Sequence, residues 1–308
     1  MNTNPTDLTL NNGTIMPALG LGVMQGTQEE SEEAVKTALE VGYRLIDTAS
    51  AYMNEKSVGE GIRRSGVKRS DFFLTTKLWV TDYGTEETRR GFDASLRRLG
   101  TDYVDLYLLH QPMPTEFYKT VAAYKTVETF LKEGRAKAIG VCNFSTAHLE
   151  RLLHETSIVP AVNQIEVHPF FVQKELRAAN AKLGIKTQAW SPIAGIHVYI
   201  PNSQDTLNPH KHPTLLALGE KYKKTPAQIM LRWHIQIGNS AIPKSVNAGR
   251  IKENFDVFDF SLTPEEISNI EKLDTGVRGG PDPEIITTTT FGFSIDNSPE
   301  ADNAKAWW

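Results

Sequence analysis

From residue 18 onward, short apolar runs alternate with longer stretches whose apolar positions recur at helical spacing. The pattern predicts strand 18–26 with helix 29–41, strand 43–47 with helix 54–64, strand 72–77 with helix 85–99, and strand 103–110 with helix 115–133. It continues with strand 136–141 and helix 146–155, strand 161–166 and helix 172–183, and strand 185–190. A long loop, 191–211, breaks the rhythm before helices 213–222 and 226–237, strand 240–243, helix 248–255 and a surface helix ending at Leu273. Thr27 with Glu30, Thr225 with Gln228 and Thr263 with Glu266 have capping-box spacing, so three of these helix starts are marked by their own residues.

The two ends depart from this repeat. Residues 8–16 alternate around Asn12-Gly13, a turn whose central residues both need positive φ, which predicts a small hairpin ahead of the main fold. The stretch 274–308 is rich in Gly, Pro, Thr and Asn and is expected to lie as an extended arm. Between them no shift in composition marks a linker. Alternation implies parallel strands, and eight of them can close into a barrel. Residues 1–308 are therefore expected to form one α/β domain, a (β/α)8 TIM barrel with an N-terminal β-hairpin, extra surface helices and an extended C-terminal tail. An open doubly wound sheet is the alternative. That fold would bind a nucleotide on a glycine fingerprint, but after Gly20 and Gly22 the third glycine position holds Gln25. The pair is expected to mark a tight strand end instead.

With 308 residues, 40% apolar and 23% charged, the chain can bury a substantial core. The net charge of -4 and a pI near 6.1 provide no basic face for nucleic acid or an anionic membrane, so an anionic ligand must be captured locally. Cys142 is the one cysteine, which excludes an intrachain disulfide and a cysteine-built zinc site and suits a reducing compartment. The first residues lack a secretory pattern and no apolar run is long enough to span a bilayer, so the expected location is cytoplasmic. The expected partner is a small molecule, and the expected state a monomer, with a dimer as the alternative.

Residues 42–55, GYRLIDTASAYMNE, read as a buried strand running into a loop that carries Asp47 and Tyr52. In a barrel the reactive groups sit at the carboxyl ends of strands. Asp47 and Tyr52 follow the second strand, Lys77 ends the third and His110 ends the fourth, which makes them neighbours on one rim. Singly, each has a plain structural reading: an ion pair for Asp47 and Lys77, a packed aromatic for Tyr52, a satisfied core histidine for His110. Together they suit carbonyl reduction. A phenol titrates near ~10, too high for an effective acid at neutral pH, and a nearby lysine ammonium lowers it. Asp47 would compensate the buried lysine, and His110 would donate to the substrate oxygen.

None of these residues donates hydride, so the mechanism implies a nicotinamide cofactor. Residues 242–247, IPKSVN, lead into helix 248–255, whose amino terminus attracts phosphate; Lys244, Ser245 and Arg250 suit a 2′-phosphate, which favours NADPH over NADH. Asn143 and Gln164 could pair with a carboxamide, and Trp190 offers a flat face for the ring. The plainer readings are a basic surface turn, two caps and a core tryptophan. His210-Lys211-His212 lies in a polar loop without a third ligand, so no metal is expected. Asn143-Phe144-Ser145 matches a glycosylation acceptor that the expected compartment leaves unused. Trp307 and Trp308 are assigned no role.

The segments GYRLIDTASAYMNEKSVGEGI, TTKLW, LYLLHQP, GVCNFS, VNQIEVHP and IPKSVNAGRIKENF make the chain resemble the aldo-keto reductases over essentially its whole length. LLHQP, GVCNFS, QAWSPI and LDTGVRGGPDPE are similar to the prokaryotic branch that contains diketogulonate reductases and morphine 6-dehydrogenase. The resemblance implies NADP(H)-dependent reduction of aldehydes and ketones, reversible to alcohol oxidation, with Asp47, Tyr52, Lys77 and His110 as the catalytic tetrad. It implies cofactor contacts at Gly22, Val23, Met24, Asp47, Cys142, Asn143, Gln164, Trp190, Ser191, Ile193, Lys244, Ser245, Val246, Asn247, Arg250, Glu253 and Asn254. Substrate contacts would fall on Met24, Tyr52, Trp79, His110 and Gln111.

Cys142 stands where a serine commonly contacts the carboxamide, and Trp190 replaces a frequent tyrosine. Met24 and Gln111 stand where other members carry tryptophan, which implies a roomier and less aromatic pocket. Trp79, Gln111, the loop around His197 and Tyr199, and the tail are expected to shape it. A cofactor-sensing regulatory or binding subunit on the same fold is the alternative function. A short-chain dehydrogenase would want tyrosine and lysine a turn apart on one helix, whereas Tyr52 and Lys77 lie on different units.

Overall fold

A computed structural model describes residues 6–194 and 208–303; the loop around His197 and Tyr199, and Trp307 and Trp308, lie outside the described residues. After an antiparallel hairpin, β1 (Leu8–Thr9) and β2 (Ile15–Met16), eight parallel strands follow: β3 (Leu21–Gly22), β4 (Leu45–Asp47), β5 (Phe73–Leu78), β6 (Val104–Leu109), β7 (Ala136–Cys142), β8 (Val162–Glu166), β9 (Lys186–Trp190) and β10 (Ser240–Ala241). They pair in sequence order from β3 to β10. Parallel bridges from Leu19 to Ala241 and from Gly22 to Lys244 join the first strand to the last, so the sheet closes into a barrel and the open doubly wound alternative is excluded.

The seam explains the Gly20–Gly22 pair. A Cβ on Gly20 would stand 2.1 Å from the Leu45 side chain, and one on Gly22 2.9 Å from the Ile242 carbonyl oxygen. At Gly22 only glycine lets the first and last strands approach this closely, and at Gly20 it leaves room for the Leu45 side chain of β4. The expected strand 18–26 shortens to Leu21–Gly22, and the chain then turns through Gln25 at a φ of 58°.

The hairpin turn is wider than expected. The register pairs Leu8 with Met16 and Thr9 with Ile15, and Gly13 alone of the Asn12-Gly13 pair takes positive φ. Asn12 acts instead through its side chain, accepting the Thr14 N–H at 3.1 Å and donating to the Lys137 carbonyl at 2.8 Å. The hairpin thereby plugs one end of the barrel: Leu10 and Met16 pack with Leu45, Phe73, Leu106 and Leu108 of the interior.

The helices surround the strands, with all three capping boxes formed at Thr27, Thr225 and Thr263. Several boundaries move by a residue or two, and at two helices the cause is visible. Helix 172–183 becomes Lys174–Lys182, because His168 and Phe171 pair in a tight turn and the Val172 N–H goes to the Asp274 carboxylate. Helix 115–133 starts at Phe117, after a 3-10 turn at Pro114–Glu116. Among the described residues, no helix is long and apolar enough to cross a membrane.

The tail is not a free arm. Thr275 is tied to the Phe170 carbonyl, Thr288 to the Glu116 carboxylate, and Arg97 holds both the Asn297 carbonyl and the Asp302 carboxylate. The chain between these ties passes over the carboxyl ends of the strands, where it helps to wall the cavity described next.

Candidate active site

The turn after β4 sets the geometry. Ser50–Tyr52 form one 3-10 turn, closed by the Tyr52 N–H on the Ala49 carbonyl at 3.0 Å, and Met53 in the left-handed region redirects the chain into helix Glu55–Ser65. Asn54 is buried beneath it and donates to the Val23 carbonyl at 2.9 Å, which fixes the wall that follows β3. The loop is therefore held in place by a polar core, and Tyr52 is turned back toward the barrel.

Lys77, fully buried on β5, donates to an Asp47 carboxylate oxygen and to the Thr48 carbonyl at 3.0 Å, and its Nζ stands 3.4 Å from the Tyr52 hydroxyl. The second Asp47 oxygen accepts the Gln164 amide at 2.7 Å. Burial pushes the Asp47 carboxyl above its ordinary value, while the Lys77 ammonium and the Gln164 amide oppose that rise. His110 follows β6 with its ring 5.7 Å from that of Tyr52, edge to face. Burial first, and the Lys77 cation second, hold its pKa well below the usual imidazole value, so the ring is neutral.

These groups open onto a cavity of about 560 Å³ at the carboxyl ends of the strands. Of the sequence-predicted residues, Gly22, Val23, Met24, Asp47, Tyr52, Trp79, His110, Gln111, Cys142, Asn143, Gln164, Trp190, Ser191, Ile193 and Lys244 line it. Lys77 lies just beneath. Ser245, Val246, Asn247, Arg250, Glu253 and Asn254 sit beyond it, on the turn after β10 and on helix Ala248–Phe255. There the Asn247 side chain caps the helix by accepting the Arg250 N–H at 3.0 Å, so one of the backbone donors expected to be open is already occupied. Glu253 accepts the Thr225 hydroxyl at 2.9 Å. Lys244 and Arg250 are exposed.

The two amides expected to meet a carboxamide are bonded within the protein. Asn143 accepts the Trp190 indole N–H at 2.8 Å and donates to the His110 carbonyl at 3.2 Å. Gln164 donates to Gln188 as well as to Asp47. Asn143 also donates to the Cys142 sulfur at 3.3 Å and Cys142 to the Gln164 carbonyl oxygen at 3.8 Å, so Trp190, Asn143, Cys142, Gln164 and Asp47 form one chain of hydrogen bonds along the cavity floor. Burial pushes the Cys142 thiol up, so it is a protonated packing group.

Sequence reasoning did not single out Gln25, Ala51, Pro192 or Ala194, and it expected the tail to shape the pocket without naming Pro281, Phe291 and Phe293; all seven line the cavity. The two phenylalanines change its character. Their rings lie 4.9 and 5.0 Å from Trp79, the second stacked, and Trp79 in turn meets His110 edge to face at 5.2 Å. The aromatic surface expected to be lost at Met24 and Gln111 is supplied by the tail, and FGF in an otherwise polar arm was the available signal. Backbone conformation is a further mark of the site. Gln25, Asn143, Ser191 and Ala194 all line the cavity with positive φ, a conformation that costs non-glycine residues energy and clusters where loops are shaped for binding. Two histidines support one of these loops: His234 Nε2 bonds the Pro192 carbonyl at 3.0 Å, and His210 Nε2 the Ile193 carbonyl at 2.9 Å. Among the described residues there is no cluster suited to a metal ion.

Comparison with known proteins agrees with this architecture. Residues 18–275 match the model of the Aldo/keto reductase family. The chain is 51% identical over 288 residues to a morphine 6-dehydrogenase of Pseudomonas putida, covering 92% of this chain and 96% of the relative. It is 47% identical over 282 residues to a methylglyoxal reductase of Escherichia coli, covering 91% and 98%. The crystal structure of a Bombyx mori aldo-keto reductase in complex with NADP superposes with a TM-score of 0.82 at 36% identity, covering 89% of this chain and 94% of that one. A barrel closed by a glycine seam, with Asp47, Tyr52, Lys77 and His110 at one mouth and family matches across nearly all of its length, makes this chain a member of the aldo/keto reductase family of oxidoreductases.

Proposed function

We propose that the protein is an NADPH-dependent reductase of aldehydes and ketones, running in reverse as an alcohol dehydrogenase. The observation that carries this reading is the Tyr52 hydroxyl, 3.4 Å from a fully buried ammonium and beside a neutral imidazole, at the wall of a cavity.

The residues suit a nicotinamide nucleotide. Trp190 offers an indole face, Asn143 and Gln164 offer amides beside it, and the exposed Lys244 and Arg250 offer positive charge for phosphate near the mouth. The bound cofactor would supply the hydride. Tyr52 gives its proton to the carbonyl oxygen, and Lys77 stabilises the negative charge that this leaves on the phenolic oxygen. Asp47 keeps Lys77 charged in a dry site. The neutral His110 donates an N–H to the same carbonyl oxygen and so orients the substrate. The Bombyx mori relative solved with NADP supports the choice of cofactor. The names of the bacterial relatives refer to substrates as different as morphine and methylglyoxal, so the substrate class has to come from this chain's own cavity.

The test is NADPH consumption with keto sugars, aromatic aldehydes and polycyclic ketones. Tyr52→Phe is expected to lower kcat by about 10²–10⁴-fold while NADPH still quenches tryptophan fluorescence. Full activity in that variant would remove the assignment, and NADPH binding without turnover of any carbonyl would favour the cofactor-sensing alternative. Arg250→Ala is expected to weaken NADPH about ten-fold more than NADH. An equal loss for both would show that Arg250 does not read the 2′-phosphate.

A further inference from the structure

Glu166 ends β8 with 1% of its surface exposed, and its partners come from the tail. One carboxylate oxygen accepts the Gly279 N–H at 2.8 Å and bonds His168 Nε2 at 3.0 Å; the other accepts the Gly280 N–H at 2.9 Å. Among the described residues it pairs with no lysine or arginine. A buried carboxylate that loses its donors is costly, so the tail's docked position is the one in which Glu166 is satisfied.

The docked position presses the tail against Trp190. Glu166 and Trp190 are register partners on β8 and β9, so their side chains leave the sheet on the same face. A Cβ on Gly280 would stand 2.3 Å from the Trp190 ring carbon Cη2. The φ of Gly280 lies outside the left-handed region, so the indole, not the backbone conformation, excludes a side chain there. The next residue, Pro281, lines the cavity, and the same strap carries Phe291 and Phe293 onto Trp79.

We propose that Glu166 is a positioning residue: by seating Gly279 and Gly280 against the indole of Trp190, it couples occupation of the cavity by the nicotinamide nucleotide to the order of the tail that walls the substrate side. This rests on the reading of Trp190 as the face on which the cofactor ring lies. A ring stacked on Trp190 fixes the indole, the fixed indole supports Gly280, and the supported tail holds its phenylalanines in place before the carbonyl compound arrives.

The experiment is hydrogen exchange of tail peptides covering 279–293, in the full-length protein with and without saturating NADP+, alongside fluorescence titration of NADP+. In the unmodified protein, NADP+ is expected to slow exchange in these peptides about five-fold or more. Glu166→Gln, which turns one acceptor into a donor facing an N–H, and Gly280→Ala, which pushes the tail off the indole, are each expected to bind NADP+ and lose that slowing. Both are expected to raise KM for the carbonyl about ten-fold and leave kcat within about two-fold. Gly280→Ala keeps the carboxylate and so decides the matter if Glu166→Gln does not fold. Bound NADP+ with no change in tail exchange, or unchanged slowing in the variants, overturns the proposal. Failure of the unmodified protein to bind NADP+ overturns both the coupling and the cofactor reading beneath it.

Discussion

The cavity has two walls built in opposite ways. On the strand side, Asp47, Lys77 and Gln164 lie on barrel strands within a buried network in which each group is held by another, and His110 packs beside them through ring contacts with Tyr52 and Trp79. On the tail side, Pro281, Phe291 and Phe293 lie in irregular chain, held by Glu166, Glu116, Arg97 and Arg98, residues well over a hundred positions away in sequence. The first wall has almost no freedom, because moving one polar group leaves a buried charge unpaired. The second can be altered by changing a few ties. Groups that must be placed to a fraction of an ångström belong on the first, and surfaces that choose among substrates belong on the second.

The largest effect should come from breaking the strand wall. Lys77→Met leaves Asp47 buried with only the Gln164 amide, and is expected to cost about 3–5 kcal/mol in urea unfolding as well as activity. Adding Asp47→Asn to that variant should restore much of the stability and none of the turnover. If Lys77→Met unfolds at the same urea concentration as the unmodified protein, the strand wall is not the rigid partner in the comparison.

Acid should act through a different support, the histidine behind the loop that follows β9. The imidazole of His234, which holds the Pro192 carbonyl, is lowered by burial from 6.5 to about 3. Between those values the unfolded chain binds a proton that the folded protein refuses, so this contribution to stability is complete above 6.5 and lost as pH falls. The slope from this one group is about 1.4 kcal/mol per pH unit. His234→Gln should flatten the dependence of unfolding free energy on pH below 6.5 by that amount. An unchanged slope would show that the ring is protonated in the fold.

The tail wall should respond least. Phe293→Ala removes a ring stacked on Trp79, so the unfolding free energy is expected to fall by about 0.5–1.5 kcal/mol and KM for an aromatic aldehyde to rise roughly three- to ten-fold, as the wall it completes is opened, while kcat stays close to the original value. A large loss of kcat would mean that the tail takes part in the chemistry.

The two walls also differ in how legible they were. Asp47, Tyr52, Lys77 and His110 could be put on one rim from the repeat alone, because strand ends in a parallel barrel all face one mouth. The capping boxes were readable for the same reason: Thr27 and Glu30 act on each other three residues apart. The hairpin turn was misjudged at Asn12, whose side chain bonds Lys137 in a distant strand; the tail was rightly expected to shape the pocket, but its docked course was not legible, because Glu166, Glu116 and Arg97 hold it through contacts that no local pattern announces.

Sequence by itself determined the alternation of strand and helix, the closure implied by eight repeats, and the rim position of Asp47, Tyr52, Lys77 and His110. Those are set by periodicity and short-range spacing, which a linear chain displays. Tertiary structure alone decided that Gly20 and Gly22 sit at the seam of the barrel, that Cys142 and Gln164 link Asn143 and Trp190 to Asp47, and which ties hold the tail over the cavity. Each of these depends on which backbone or buried polar group is left needing a partner once the barrel has closed, and that is a property of the packed molecule.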